Sequence, residues 1–172
     1  MRTRAIPLEA GAGSVIAFQS VPGALLMSGL DRRRLSEGLQ MSDDELIAAA
    51  RDVQKRAHAP YSGFPVGAAL LSRDGRVFTG ANVENASIGL SACAERNAVA
   101  KAISEGARDF EKLAVVTDAS DPVMPCGVCR QVLWEFSHDL VIVVESREGR
   151  RATTTIGELL PYAFTSFERS DR

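Results

Sequence analysis

The chain has 172 residues, enough for one domain with a core of its own. Apolar residues make up 45% and charged residues 24%, the usage of folded globular proteins, which excludes a disordered or collagen-like chain. A net charge of −2, with no run near ~18 uninterrupted apolar residues, excludes a basic nucleic-acid surface and a transmembrane helix.

Residues 1–40 differ in texture from the rest. They carry five arginines against three acids and lack a sustained hydrophobic period, whereas residues 41–172 carry fifteen basic against nineteen acidic groups. Arg2 and Arg4 precede a short apolar patch at Val15–Phe18, but Glu9, Gln19, Ser20 and Pro22 break any secretory-signal pattern. Residues 1–40 are therefore expected to be a flexible extension, with Met41 as the native start, a folded domain over 41–165 and a polar tail over 166–172.

From Ser42 the pattern becomes regular. Leu46, Ala49, Ala50, Val53 and Ala57 predict a helix through about His58, opened by a Ser42/Glu45 capping box. Val66–Leu71 and Arg76–Ala81 read as strands joined at Asp74-Gly75, a hairpin signal. A second helix is expected over Cys93–Glu105, stopped by Gly106, and a buried strand over Leu113–Thr117. After the loop Asp118–Pro125 come a helix over Cys126–His138 and a buried strand over Leu140–Val144. A short helix over Thr155–Leu160 closes the set, with a Thr155/Glu158 capping box. This order implies a mixed sheet covered by helices.

The three cysteines are Cys93, Cys126 and Cys129, an odd number that argues against a disulfide framework. Both Cys93 and the Cys126-x-x-Cys129 pair fall where a helix begins, and helix N-termini stabilise thiolates. Three such ligands suit a zinc ion that keeps one position open, the catalytic pattern. A C-x-x-C alone could equally be redox-active or half of a structural zinc site. Neither His58 nor His138 stands where a fourth ligand is needed. Glu95, two residues after Cys93, sharpens the choice. Cys93-x-Glu95 … Pro125-Cys126-x-x-Cys129 is the pattern of zinc nucleobase deaminases, in which the glutamate moves protons and does not bind the metal.

From Asp43 to Phe164 the sequence resembles the small homotetrameric cytidine deaminases. The resemblance rests on Ala59-Pro60-Tyr61-Ser62-Gly63-Phe64-Pro65-Val66-Gly67-Ala68-Ala69-Leu70, Asn82-Val83-Glu84-Asn85, Cys93-Ala94-Glu95-Arg96, Pro125-Cys126-Gly127-Val128-Cys129-Arg130-Gln131 and Glu158-Leu159-Leu160-Pro161. It implies an α/β fold, a three-layer α/β/α sandwich on a five-stranded mixed sheet whose last strand is the weak Arg151–Thr154 stretch. It implies a cytoplasmic pyrimidine-salvage enzyme deaminating cytidine and 2′-deoxycytidine, with one zinc per subunit and active sites shared within a homotetramer. No nucleic-acid or membrane partner is implied. Carried over by position, Cys93, Cys126 and Cys129 would bind zinc and Glu95 would be the acid/base group. Phe64, Asn82, Glu84, Ala86 and the Ala94 backbone would contact the nucleoside, and Phe164 would approach it across a subunit interface. Arg96 and Gln131 would support the site from behind. Ile88 departs from the family's usual aromatic, Tyr162 from a frequent glycine and His58 from a common aromatic. A deaminase of a modified cytidine such as blasticidin S is the nearest rival. A non-catalytic zinc-stabilised interaction module is the rival of a different class.

Overall fold

The computed structural model describes residues 41–165; the expected extension over 1–40 and the tail over 166–172 lie outside the described residues. Helix α1 (Asp43–Gln54) begins at the expected capping box. Ser42 Oγ accepts the Glu45 N–H at 3.3 Å and the Ser42 N–H donates to Glu45 Oε2 at 2.9 Å. Three acids in its first turn complement the helix dipole. Strands β1 (Val66–Ser72) and β2 (Val77–Ala81) form the hairpin. Helix α2 (Ala94–Ser104), β3 (Phe110–Thr117), α3 (Gly127–Trp134), β4 (Val141–Glu145), β5 (Arg151–Thr155) and the short α4 (Ile156–Leu159) follow.

The sheet order is β2-β1-β3-β4-β5, with β3 and β4 parallel and the other neighbours antiparallel. Strand β1 is buried on both faces, so its sequence reads as a continuous apolar run and not as an alternation. Ala69 and Leu71 join Ala114, Val116 and Val143 beneath Leu46, Ile47 and Ala50 of α1. On the other face Ala68, Leu70, Leu113, Val115, Ile142 and Val144 pack with Ala94, Ala98 and Ala102 of α2 and Leu133 of α3. These are the three layers of an α/β/α sandwich on a five-stranded mixed sheet. Two glycines set how closely the layers approach. A Cβ at Gly67 would lie 2.0 Å from the Ala50 carbonyl of α1, and one at Gly80 would lie 2.4 Å from the Ala94 carbonyl of α2.

Three boundaries differ from expectation, each for a physical reason. Helix α1 ends at Gln54 and not near His58, because the chain there turns to bridge the loop after β2. The His58 N–H donates to Asn82 O at 3.0 Å and the Glu84 N–H to His58 O at 2.8 Å. Helix α3 ends at Trp134 and not at His138. The Phe136 and Ser137 N–H groups both fold back onto Leu133 O, and Ser137 Oγ donates to Phe110 O at 2.8 Å. Strand β3 starts three residues earlier than its apolar run, since Phe110 to Lys112 pair with β1 despite their mixed polarity. A 3-10 turn at Ile88–Leu90, absent from the sequence reading, presents Ile88 at 81% exposure.

Candidate active site

Cys93 and Cys126 are the N-cap residues of α2 and α3. Both are extended (φ −71°, ψ 156° and φ −66°, ψ 164°), and neither thiol is used to cap its helix. Cys129 sits one turn into α3 and is buried. The helices converge so that Cys93 and Cys126 Sγ are 3.9 Å apart and Cys126 and Cys129 Sγ 3.5 Å apart. All three sulfurs lie within 4.8 Å of one another. Hydrogen bonds from the Cys129 and Cys126 thiols, with Arg96 adding its charge, draw Cys93 down to about 5. The hydrogen bond to Cys93, together with burial, pushes Cys129 up. A thiolate at Cys93 thus opposes ionisation of Cys129, and a divalent cation bound among the sulfurs would relieve that opposition. Three soft donors at two positive helix ends, without a fourth cysteine or a histidine in the cluster, fit zinc with one position left open.

Glu95 lies in the first turn of α2 and is only 5% exposed. Burial pushes its carboxyl above the ordinary range, against opposing hydrogen bonds from its own backbone and the Cys129 thiol. A carboxyl so placed holds a proton more readily than an exposed one, which suits a group that takes and returns protons. Arg96 donates through Nη2 to Ser91 O at 2.5 Å. Its Nε is buried without a hydrogen-bond partner, and the guanidinium charge acts on Cys93.

The cluster opens onto a cavity of ≈ 420 Å³ lined by Phe64, Asn82, Glu84, Cys93, Ala94, Glu95 and Cys126, together with Ser62, Val66, Val115, Thr117, Val123 and Met124. Six of these walls were not singled out from sequence. Val115 and Thr117 were recoverable, since a period of two along β3 puts them on the face that carries Leu113. Ser62, Val123 and Met124 belong to loops whose paths no periodicity reports.

The structure brings Cys93, Cys126, Cys129, Glu95, Ala94, Phe64, Asn82 and Glu84 together and leaves other candidates apart. Asn82 already spends one donor and one acceptor on backbone: Nδ2 donates to Phe64 O at 2.9 Å and Oδ1 accepts the Val66 N–H at 2.8 Å. Ala86 is exposed and off the cavity wall, in a loop closed by the Ser87 N–H to Asn85 Oδ1 at 2.8 Å. Gln131 clamps the C-terminal segment. Its Nε2 donates to Phe164 O at 2.8 Å and its Oε1 accepts the Phe164 N–H at 3.2 Å. The Phe164 side chain is 55% exposed and does not line this chain's own cavity. His138 stacks on Trp134 with ring centroids 4.5 Å apart, and both histidines stand outside the thiol cluster.

The family model described as "Cytidine and deoxycytidylate deaminase zinc-binding region" matches residues 40–145. The cytidine deaminase of Halalkalibacterium halodurans is 48% identical over 132 residues, spanning 76% of this chain and 100% of that protein. The crystal structure of cytidine deaminase from Burkholderia pseudomallei superposes with a TM-score of 0.70 at 47% identity, covering 72% of this chain and all of that one. A blasticidin-S deaminase from Bacillus cereus matches less well, at 34% identity over 109 residues, 58% of this chain and 76% of that protein. Zinc-ligand spacing, the buried glutamate at the cavity wall and the five-stranded sandwich thus agree with these likenesses, and the chain belongs to the cytidine and deoxycytidylate deaminase family.

Proposed function

We propose that this protein hydrolyses cytidine and 2′-deoxycytidine to uridine and 2′-deoxyuridine with release of ammonia. The observation that carries this is the buried carboxyl of Glu95 on the wall of a nucleoside-sized cavity, beside three thiols fit for zinc. Cys93, Cys126 and Cys129 would hold the metal, which would supply a Lewis acid that acidifies water. Glu95 accepts a proton from the water that adds to C4 of the cytosine ring and delivers it to N3. It then transfers the second proton to the amino group, which leaves as ammonia while the C4 carbonyl forms. Atoms balance as cytidine plus water giving uridine plus ammonia.

Arg96 offsets the negative charge of the thiolates. The Ala94 backbone holds the pyrimidine edge at the start of α2, with Phe64 packing on the nucleoside and Glu84 accepting sugar hydroxyls. Asn82 braces the Phe64–Val66 backbone and keeps one donor and one acceptor for the sugar. Ala86 and Phe164 serve the site of a neighbouring subunit in a homotetramer. Exposed Ile88, Leu90, Val128 and Tyr162 support such assembly. A cytoplasmic salvage role accords with this chemistry; among the described residues no helix is long and apolar enough to cross a membrane.

The test is incubation of the purified, zinc-loaded protein with cytidine, following ultraviolet absorbance and ammonia. Stoichiometric uridine and ammonia are expected. Turnover of blasticidin S without turnover of cytidine would instead assign the site to the modified nucleoside.

A further inference from the structure

Four of the cavity's polar and aromatic walls are joined by one hydrogen-bonded chain, and Ser62 is its junction. Gly63 turns the loop in the left-handed region (φ 64°), with its N–H on Ala59 O at 3.0 Å, which brings Ser62 opposite Glu84. Ser62 Oγ donates to Glu84 Oε1 and accepts the Phe64 N–H at 3.0 Å. Glu84 Oε2 accepts the Tyr61 N–H at 2.9 Å and the Ser62 N–H at 3.2 Å. Phe64 O in turn accepts from Asn82 Nδ2. Ser62 itself lines the cavity.

We propose that Ser62 is a positioning residue for the sugar end of the substrate: its hydroxyl fixes the Glu84 carboxylate so that a remaining lone pair faces the nucleoside hydroxyls, and it locks Phe64 to the same frame. This rests on the nucleoside reading given above and adds to it the residue that makes the site selective for a hydroxylated sugar. A carboxylate offers about four acceptor positions, and the loop occupies three of them. The direction of the remaining one is then set by the loop before substrate arrives, so no ordering of the carboxylate opposes binding. The Ser62 hydroxyl, with the Tyr61 and Ser62 N–H groups, also holds Glu84 below the ordinary carboxylate range, which keeps the acceptor anionic.

The test compares wild type, S62A and S62T on cytidine and on 2′,3′-dideoxycytidine, which lacks the hydroxyls that Glu84 would read. Ser62 is an exposed loop residue, and zinc content with a melting curve checks that each variant is folded. For cytidine, S62A should raise KM about tenfold with kcat held within about twofold, while kcat/KM on the dideoxynucleoside, which feels only the loosened Phe64, falls by a clearly smaller factor. S62T, which keeps the hydroxyl, should recover KM for cytidine. Equal losses on both substrates, or no loss on either, overturn the positioning role and leave the deaminase reading intact. Absence of cytidine turnover in the wild type overturns that reading, and the proposal with it.

Discussion

At the scale of single residues, the site is built from groups whose ordinary behaviour has been altered by place. Cys93 and Cys126 would be unremarkable thiols in mid-helix; as N-caps with free Sγ atoms they meet the positive ends of α2 and α3. The spacing Cys93-x-Glu95 then puts the carboxyl in the same first turn, on the cavity wall and deprived of water. Removing one sulfur should undo this arrangement. Cys126→Ala should abolish stoichiometric zinc binding and all measurable turnover, with metal content read by atomic emission; retention of one tightly held zinc would show that Cys126 is not a ligand. These residues were legible in the sequence because short spacing fixes them. Gln131 was not. Its place two residues after Cys129 suggested support of the metal, yet its amide pairs with the Phe164 backbone 33 residues on, a contact that only the fold of the C-terminal segment decides.

At the scale of elements, two glycines and one charge network hold α1 and α2 at working distance from the sheet. With α2 on Gly80, any side chain there would displace the segment that carries Ala94 and Glu95. On the other face, Glu145 at the end of β4 is 8% exposed and binds Arg51 of α1 and, at 2.6 Å, Nε of Arg151 in β5. Burial opposes its ionisation, but the Arg151 and Arg51 hydrogen bonds prevail and hold it below the usual range. A lowered folded-state pKa contributes stability that is present above the unfolded value of about 4.3 and is lost as pH falls through the folded one. Glu145→Gln should therefore cost about 1–2 kcal/mol at pH 7, since both arginines are partly solvated. Melting curves of the two proteins should converge as pH falls below the unfolded carboxylate value and through the folded one, and a pH-independent gap would contradict the role. Elements with strong periodicity, such as α2, were readable in type and nearly in extent. The early ends of α1 and α3 were not, because hydrogen-bond partners at Asn82, Leu133 and Phe110 set them.

At the scale of the whole molecule, several large apolar side chains stand exposed where the proposed assembly would bury them. Tyr162 at 95%, Ile88 at 81%, Leu90 and Val128 expose large apolar side chains on loops and helix starts. Such surface is ordinarily covered. Sedimentation velocity should give a species of four chains, with Ile88→Asp shifting it toward smaller forms; a monomer at all concentrations would contradict assembly. The sequence pattern reached the sandwich because apolar runs and helical periods alternate as three layers require. It did not reach the cavity's loop walls, since Ser62, Val123 and Met124 are placed by turns.

The central claim is that Glu95 moves the protons of hydrolysis at a three-thiol zinc site. It is tested most directly by measuring zinc content and cytidine turnover side by side in wild type and Glu95→Gln. One zinc per chain is expected in both, with a loss of at least about 10²-fold in kcat for the variant. Full zinc with near wild-type turnover in Glu95→Gln would contradict it.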